Sequence, residues 1–100
     1  MHVLEGILRA KDGDIERTAD WWKGLMESST AFEKNGMALN RMDGKNSVVI
    51  VRHLFDDLAD EQRAWEAWGG SDTGNRARDE WDDYVDGPFT VHRYNVLHSY

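Results

Sequence analysis

The segment SVVIVRHLF, residues 47–55, constrains the fold of this chain more than any other. Its four consecutive apolar residues, 48–51, indicate a β-strand that is covered on both faces of its sheet. Arg52 and His53 follow directly, and successive side chains of a strand point to opposite faces. A ligand cavity on one face of the sheet would explain the histidine.

The rest of the sequence alternates between strand and helix patterns. Asp43-Gly44 is typical of a tight hairpin turn, which would pair the second strand with the third. Asn35-Gly36 is typical of a helix stop, and Asp14 is suited to cap a helix start. The pattern predicts strands at residues 3–10, 37–42, 47–55 and 89–100, a helix from 14 to about 34, and a second helical region from 56 to 86 that breaks at GGSDTGN.

This element order, β-α-β-β-α-β, predicts a single ferredoxin-like α+β domain over residues 1–100. Right-handed crossovers give an antiparallel sheet in the order 4-1-3-2, with the helices on one face. Val3 and Ile7 make the opposite face apolar. Because an exposed apolar sheet face favours association, we expect a homodimer in which two sheets pack across a two-fold axis.

Charge and composition exclude several functional classes. The net charge is −7, from 19 acidic and 12 basic residues, so nucleic acid is not an expected partner. The chain has no cysteine, which excludes thiolate chemistry and suits a reducing compartment. It has no apolar run of the roughly 20 residues that span a bilayer, and its start lacks the pattern of a signal peptide. We therefore expect a cytoplasmic protein without membrane association.

The sequence resembles the dimeric α/β-barrel superfamily, which includes antibiotic-biosynthesis-type monooxygenases, NIPSNAP-like proteins and small polyketide cyclases. The resemblance covers nearly the whole chain. It is carried by HVLEGILRAKDGD as the first strand and turn, ADWWKGLMESS as the first helix, SVVIVRHLFDD as the third strand entering the second helical region, and LHSY at the end of the last strand.

The resemblance implies a pocket between the sheet and the helices that holds a flat hydrophobic or aromatic molecule, without metal or organic cofactor. The implied chemistry is cofactor-independent oxygenation, or cyclisation and isomerisation by proton transfer. The haem-degrading branch uses an asparagine on strand one and a histidine on the second helical region. Neither is present here, so haem cleavage is not expected. The alternative is a non-enzymatic dimeric interaction domain without a pocket.

His53 is the candidate catalytic residue. By alternation it shares a face with Val51, and matching the third strand to the superfamily puts this face under the helices. An imidazole there can transfer a proton near neutral pH. The alternative is a strand-end histidine bonded to backbone or water. Arg52 then points to the other face, either pairing with Glu5 across the dimer or reaching into water.

Aromatic residues supply the candidate pocket wall, since five tryptophans are many for one hundred residues. Stripes at helical spacing are usually core, and most of these side chains are expected there. The group nevertheless exceeds what a thin two-layer domain needs. The candidate ligand-binding residues are Trp22, Met26, Val51, Trp65, Trp68, Trp81 and Tyr84.

A metal site is the weaker alternative for the histidines. The predicted strand order brings His2, His53 and His98 toward one end of the sheet, and three imidazoles can hold a divalent ion. Their spacing matches no metal motif, so we expect no metal ligands. The acidic clusters, including residues 56–61, are interpreted as solvated helix faces, with Asp56 or Asp57 as a cap.

Overall fold

The helices and strands follow one another in the order of a ferredoxin-like fold. The computed structural model describes residues 1–42 and 47–100. A short 3₁₀ turn, Lys11–Gly13, follows the first strand. The elements are β1 (His2–Arg9), α1 (Ile15–Ser28), β2 (Met37–Leu39), β3 (Val48–Phe55), α2 (Leu58–Gly69), α3 (Asp72–Tyr84) and β4 (Thr90–Asn95).

Among the described residues, these strands form one antiparallel sheet in the order β2-β3-β1-β4, which confirms the predicted order. Leu4 and Leu8 of β1 are buried on the helix-covered face. They pair across the strands with His53 and Val49 of β3, which are buried on the same face. In the apolar run of β3, Val49 and Val51 are therefore buried under the helices, whereas Val48 and Ile50 lie partly buried on the opposite face.

The first helix begins as expected and ends earlier. Asp14 caps it by accepting the backbone N–H of Arg17 at 3.1 Å. The predicted end near residue 34 was wrong, because Ser29 already has an extended backbone. Phe32 explains the misleading continuation of the apolar pattern, because it packs against His53 and Trp65 from beyond the end of the helix. The ammonium of Lys34 folds back to donate to carbonyls at the end of the helix. These are the carbonyls of Met26, Glu27 and Ser29.

The second helical region consists of two helices, with a shorter break than predicted. Asp57 caps α2 by accepting the N–H of Asp60 at 2.9 Å, and Ser71 caps α3 by accepting that of Gly74 at 3.0 Å. Gly74 therefore lies inside α3 rather than in a loop. A Cβ at this position would lie 2.0 Å from the Trp68 carbonyl oxygen, so glycine permits the close junction of the two helices.

The second and fourth strands are shorter than predicted. β2 ends at Leu39 rather than at residue 42, and β4 begins at Thr90 and ends at Asn95 rather than at residue 100. The predicted turn at Asp43-Gly44 lies outside the described residues. The order of elements is unaffected, because each shortened strand still pairs with its expected neighbour.

The face of the sheet opposite the helices has a polar centre within an apolar surround. Glu5 accepts hydrogen bonds from Arg52 Nε at 2.9 Å and from the Tyr94 hydroxyl at 2.8 Å. Glu5 and Arg52 are direct partners in the β1–β3 pairing, so the expected contact across a dimer is an intrachain ion pair. Val3 and Ile7 are partly buried on this face.

Candidate functional site

A cleft of about 460 Å³ lies between α1, the segment of residues 33–38 and β3. Trp22 and Met26 line it from α1, Gly36 and Ala38 from the segment, and His53 from β3. The structure therefore brings three of the sequence-predicted site residues together: Trp22, Met26 and His53. They meet because helical spacing puts the first two on the sheet-facing side of α1, over the end of β3.

His53 is buried in an aromatic environment within this cleft, with 5% of its surface exposed. Its ring lies 5.3 Å from that of Phe32 and 6.5 Å from that of Trp22, measured between centroids. Burial lowers the pKa of His53 below its usual value of 6.5. The imidazole is therefore neutral near pH 7, which is the form that accepts a proton.

Two buried polar atoms of residues that line this cleft have no hydrogen-bond partner among the described residues. They are Nε1 of Trp22 and Nδ1 of His53. Both belong to side chains that are 95% buried. A buried polar atom without a hydrogen-bond partner costs about 1–3 kcal/mol of stability, so each such atom in a native protein calls for an explanation.

Gly36 permits the chain to lie against the edge of the His53 ring. A Cβ at this position would lie 2.7 Å from Cε1 of the imidazole and 2.8 Å from Nδ1. Any larger residue would press on the unpartnered nitrogen. The Nδ1 edge of His53 thus faces the wall of the cleft that Gly36 forms.

The charged residues that line the cleft give it no excess of positive charge. The two lysines of the lining are engaged, because Lys34 donates to the carbonyls that end α1 and Lys23 lies 3.6 Å from Glu27. Asp20 and Glu33 add two carboxylates to the lining. The formal balance of the lining is therefore slightly negative, which disfavours an anionic ligand.

The other candidate ligand-binding residues lie outside the lining of this cleft. Val51 is buried in the core, as is Trp68, which contacts Trp22 at 6.1 Å between ring centroids. Trp81 donates to the Gly87 carbonyl at 2.8 Å. Tyr84 stacks against Trp21 with ring centroids 4.8 Å apart.

Phe89 packs between the sheet and aromatic residues of α2 and α3. Its ring lies over Gly6, where an added Cβ would be 2.1 Å from Cε2. It contacts the rings of Trp65 and Trp81 at 6.0 and 5.9 Å. The space that Gly6 leaves above the sheet is therefore filled by the chain itself.

A second polar cluster surrounds Glu61, which sequence reasoning had assigned to a solvated helix face. That interpretation was wrong for this residue, because Glu61 is fully buried. It accepts hydrogen bonds from both Nε and Nη2 of Arg93, at 2.8–3.0 Å, and from Trp65 Nε1 at 2.9 Å. His2 Nε2 lies 2.6 Å from the same carboxylate. The available signal was its spacing, since Glu61 shares a helix face with Trp65 and Trp68.

Burial by itself would raise the pKa of Glu61, but hydrogen bonds from Arg93 and His2 outweigh it and lower the pKa below 4.5. The cluster is therefore a charged carboxylate at neutral pH, held by β1, β4 and α2 together. His2 is engaged there rather than beside His53, and His98 lies after β4 on an exposed segment. Within the described residues no group of three or more histidine, cysteine or acidic side chains is arranged to hold a metal ion.

None of the described helices is long and apolar enough to cross a membrane. No protein-family model matches this sequence, and no curated protein matches it either.

Solved structures match the fold over nearly the whole chain. A NIPSNAP-domain protein from Burkholderia xenovorans superposes with a TM-score of 0.74 at 11% identity, covering 97% of this chain and 95% of its own. A NIPSNAP-family protein from Agrobacterium tumefaciens gives 0.74 at 13% identity, covering 94% and 90%. A proposed antibiotic biosynthesis monooxygenase from Nitrosomonas europaea gives 0.69 at 18% identity, covering 98% and 100%. The chain has the ferredoxin-like fold of NIPSNAP-domain and antibiotic-biosynthesis-monooxygenase-like proteins, and this confirms the resemblance at the level of the fold.

Proposed function

We propose that this protein binds a hydrophobic, aromatic small molecule in the cleft between α1 and β3. The observation that carries the proposal is the pair of buried, unpartnered atoms, Trp22 Nε1 and His53 Nδ1, beside one cleft. Ligand sites combine a mostly apolar wall with a few convergent polar groups, and this cleft has that composition. Met26 and Ala38 contribute apolar wall on either side.

We further propose that His53 is the acid–base residue of a cofactor-independent reaction. Its neutral imidazole can take a proton from a bound substrate and return it at another atom, which is the basis of isomerisation and cyclisation. If the reaction is a monooxygenation, dioxygen is the oxidant. A methylene then becomes a carbonyl, one oxygen atom enters the product and the other leaves as water, with all electrons supplied by the substrate.

A homodimer is part of the proposal, because the sheet face opposite the helices is largely apolar. Val3, Ile7, Ile50 and Leu54 are partly buried there, around the Glu5 ion pair. Two such faces packed across a two-fold axis would remove this surface from water and leave both clefts open. Neither nucleic acid nor membrane is a proposed partner, and a reducing cytoplasm suits a chain without cysteine.

The second candidate is a non-enzymatic dimeric interaction domain. It is favoured by the burial of Trp68 in the core, with Trp65 and Trp81 partly buried against it, and by the filling of the Gly6 space by Phe89. In that case the α1–β3 cleft would hold only water.

The two candidates differ in whether neutral aromatic compounds bind to the cleft. Titration with 2-naphthol, followed by the chain's tryptophan fluorescence, should give saturable binding. Ala38→Phe, which fills the cleft from β2, should weaken binding about tenfold or more. Ala59→Phe, at an exposed position of α2, is the matched control and should bind as the native protein does. Absence of saturable binding to the native protein would favour the interaction domain.

A further inference from the structure

We infer that the ligand is elongated, with a neutral aromatic head and an uncharged apolar tail, and that Ala19 determines how long the tail can be. This inference rests on the proposed function of the α1–β3 cleft and specifies the class of its ligand. It follows from a second cleft, of about 240 Å³, that continues the first one along α1.

The two clefts adjoin between Ala19 and Ala38. Both residues line both clefts, Ala19 from α1 and Ala38 from β2. Two clefts that share one residue of each wall meet at that place, and a methyl group projects little from either wall. The clefts therefore form one groove, with this pair of small residues near its middle.

The order of the lining residues gives the direction of the groove. Along α1, the first cleft is lined by residues between 19 and 27, and the second by residues between 15 and 19. The floor follows the same course along β3, from His53 in the first cleft to Val49 in the second, both buried on the helix-covered face. At 1.5 Å per residue of helix, the distance along α1 from Glu27 to Ile15 is about 18 Å. The groove is therefore longer than a two-ring aromatic molecule such as 2-naphthol.

The groove exists because α1 packs on β3 and leaves the edge strand uncovered. β2 is the edge of the sheet on this side, beyond β3. Its residues Met37 and Ala38 are exposed and Leu39 is partly buried, although all three are apolar. A ligand that lies along the groove would remove this apolar surface from water, which favours its binding.

The second cleft suits an apolar tail better than a charged one. Ile15, Leu39 and Val49 line it, besides the two alanines. Its polar lining residues are Glu16 and Asn40, and the Asn40 amide already donates to a carbonyl of β3 at 3.1 Å. A tail that ended in a carboxylate would meet the like charge of Glu16. An uncharged hydrocarbon chain has no such cost, and each of its methylenes gains affinity by leaving water.

The test measures, by titration calorimetry, the binding of 2-naphthol and its 6-ethyl, 6-butyl and 6-hexyl derivatives to the native protein. Affinity should rise about twofold to fourfold with each added carbon, so that 6-hexyl-2-naphthol binds about fiftyfold or more tightly than 2-naphthol. Ala19→Leu puts a branched side chain between the two clefts and should reduce this ratio about tenfold or more. Ala59→Leu, at an exposed position of α2, is the matched control and should keep the native ratio.

Leu39→Ala tests the far half of the groove without narrowing the passage. It removes a wall that only the tail can touch, so the ratio should fall about threefold or more. This variant also keeps the inference testable if Ala19→Leu does not fold.

Equal affinities across the series would overturn this inference and leave the proposed function standing, because the head would then bind without a place for the tail. A rise with chain length that is as large in Ala19→Leu and Leu39→Ala as in the native protein would also overturn it, since the tail would then lie elsewhere. If no member of the series binds, the proposed function fails and this inference fails with it.

Discussion

The buried Glu61–Arg93 ion pair predicts an unusually large effect for a partly exposed arginine. Arg93 donates to both oxygens of a carboxylate that has no exposed surface, although about half of its own side chain is exposed. Arg93→Met removes these donors and leaves the charge to His2 and Trp65. Breaking fully buried pairs costs about 3–5 kcal/mol and breaking surface pairs about 0–1, so we expect a loss of about 2–3 kcal/mol.

Urea unfolding at neutral pH measures this loss, and a double-mutant cycle identifies its origin. Glu61→Leu together with Arg93→Met removes both charges, so the double variant should be more stable than Arg93→Met alone. Arg63→Met is the matched control. Its partner is the partly exposed Asp60, and it should cost less than about 0.5 kcal/mol.

The pH dependence of the cluster follows from the lowered pKa of Glu61. Because the folded pKa lies below the usual 4.5, the unfolded chain takes up the proton first as the pH falls. The stabilisation is therefore complete above about pH 4.5 and is lost below it. A cost for Arg93→Met as small as that of Arg63→Met, or a double variant less stable than Arg93→Met, would refute the reasoning.

Three further predictions concern the cleft and the sheet. Gly36→Ala puts a methyl group against His53 Nδ1 and should weaken 2-naphthol binding about tenfold, whereas Gly24→Ala, whose added Cβ meets nothing within 4 Å, should leave binding unchanged. Titration calorimetry on both variants checks this. Burial lowers the pKa of His53 below 6.5, so the unfolded chain binds the proton preferentially and stability should fall as the pH decreases below about 6.5. His53→Gln should remove this part of the dependence in urea unfolding, and an unchanged profile would contradict the assignment. Ile50→Asp, on the sheet face opposite the helices, should convert the proposed dimer to a monomer in light scattering, and a dimer that persists would argue against packing through this face.

The order of elements could be predicted because each carries a local pattern. The apolar run of β3, the 3–4 spacing in α1 and the single proline at residue 88 are all readable within a short window. The end of α1 was not readable in this way. Phe32 continues the helical spacing from a loop, and the reason is a long-range one, since it packs against His53, Trp65 and Trp68.

The site was predictable where alternation decides the direction of a side chain. His53 points under the helices because its parity matches that of Val49 and Val51. The pattern gave no means of separating Trp22, which lines the cleft, from Trp68, which lies in the core beside it. Trp68 packs against Phe32, which lies beyond the end of α1, and helical spacing cannot reveal this contact. The burial of Glu61 likewise depends on Arg93, thirty-two positions away.

The contacts of Glu61 also bear on how the protein is made. The carboxylate sits on α2, while its strongest donor belongs to the last strand of the sheet. A nascent chain from which β4 has not yet emerged would have to bury this acid without its main counter-ion. We therefore expect stable folding to await the synthesis of β4.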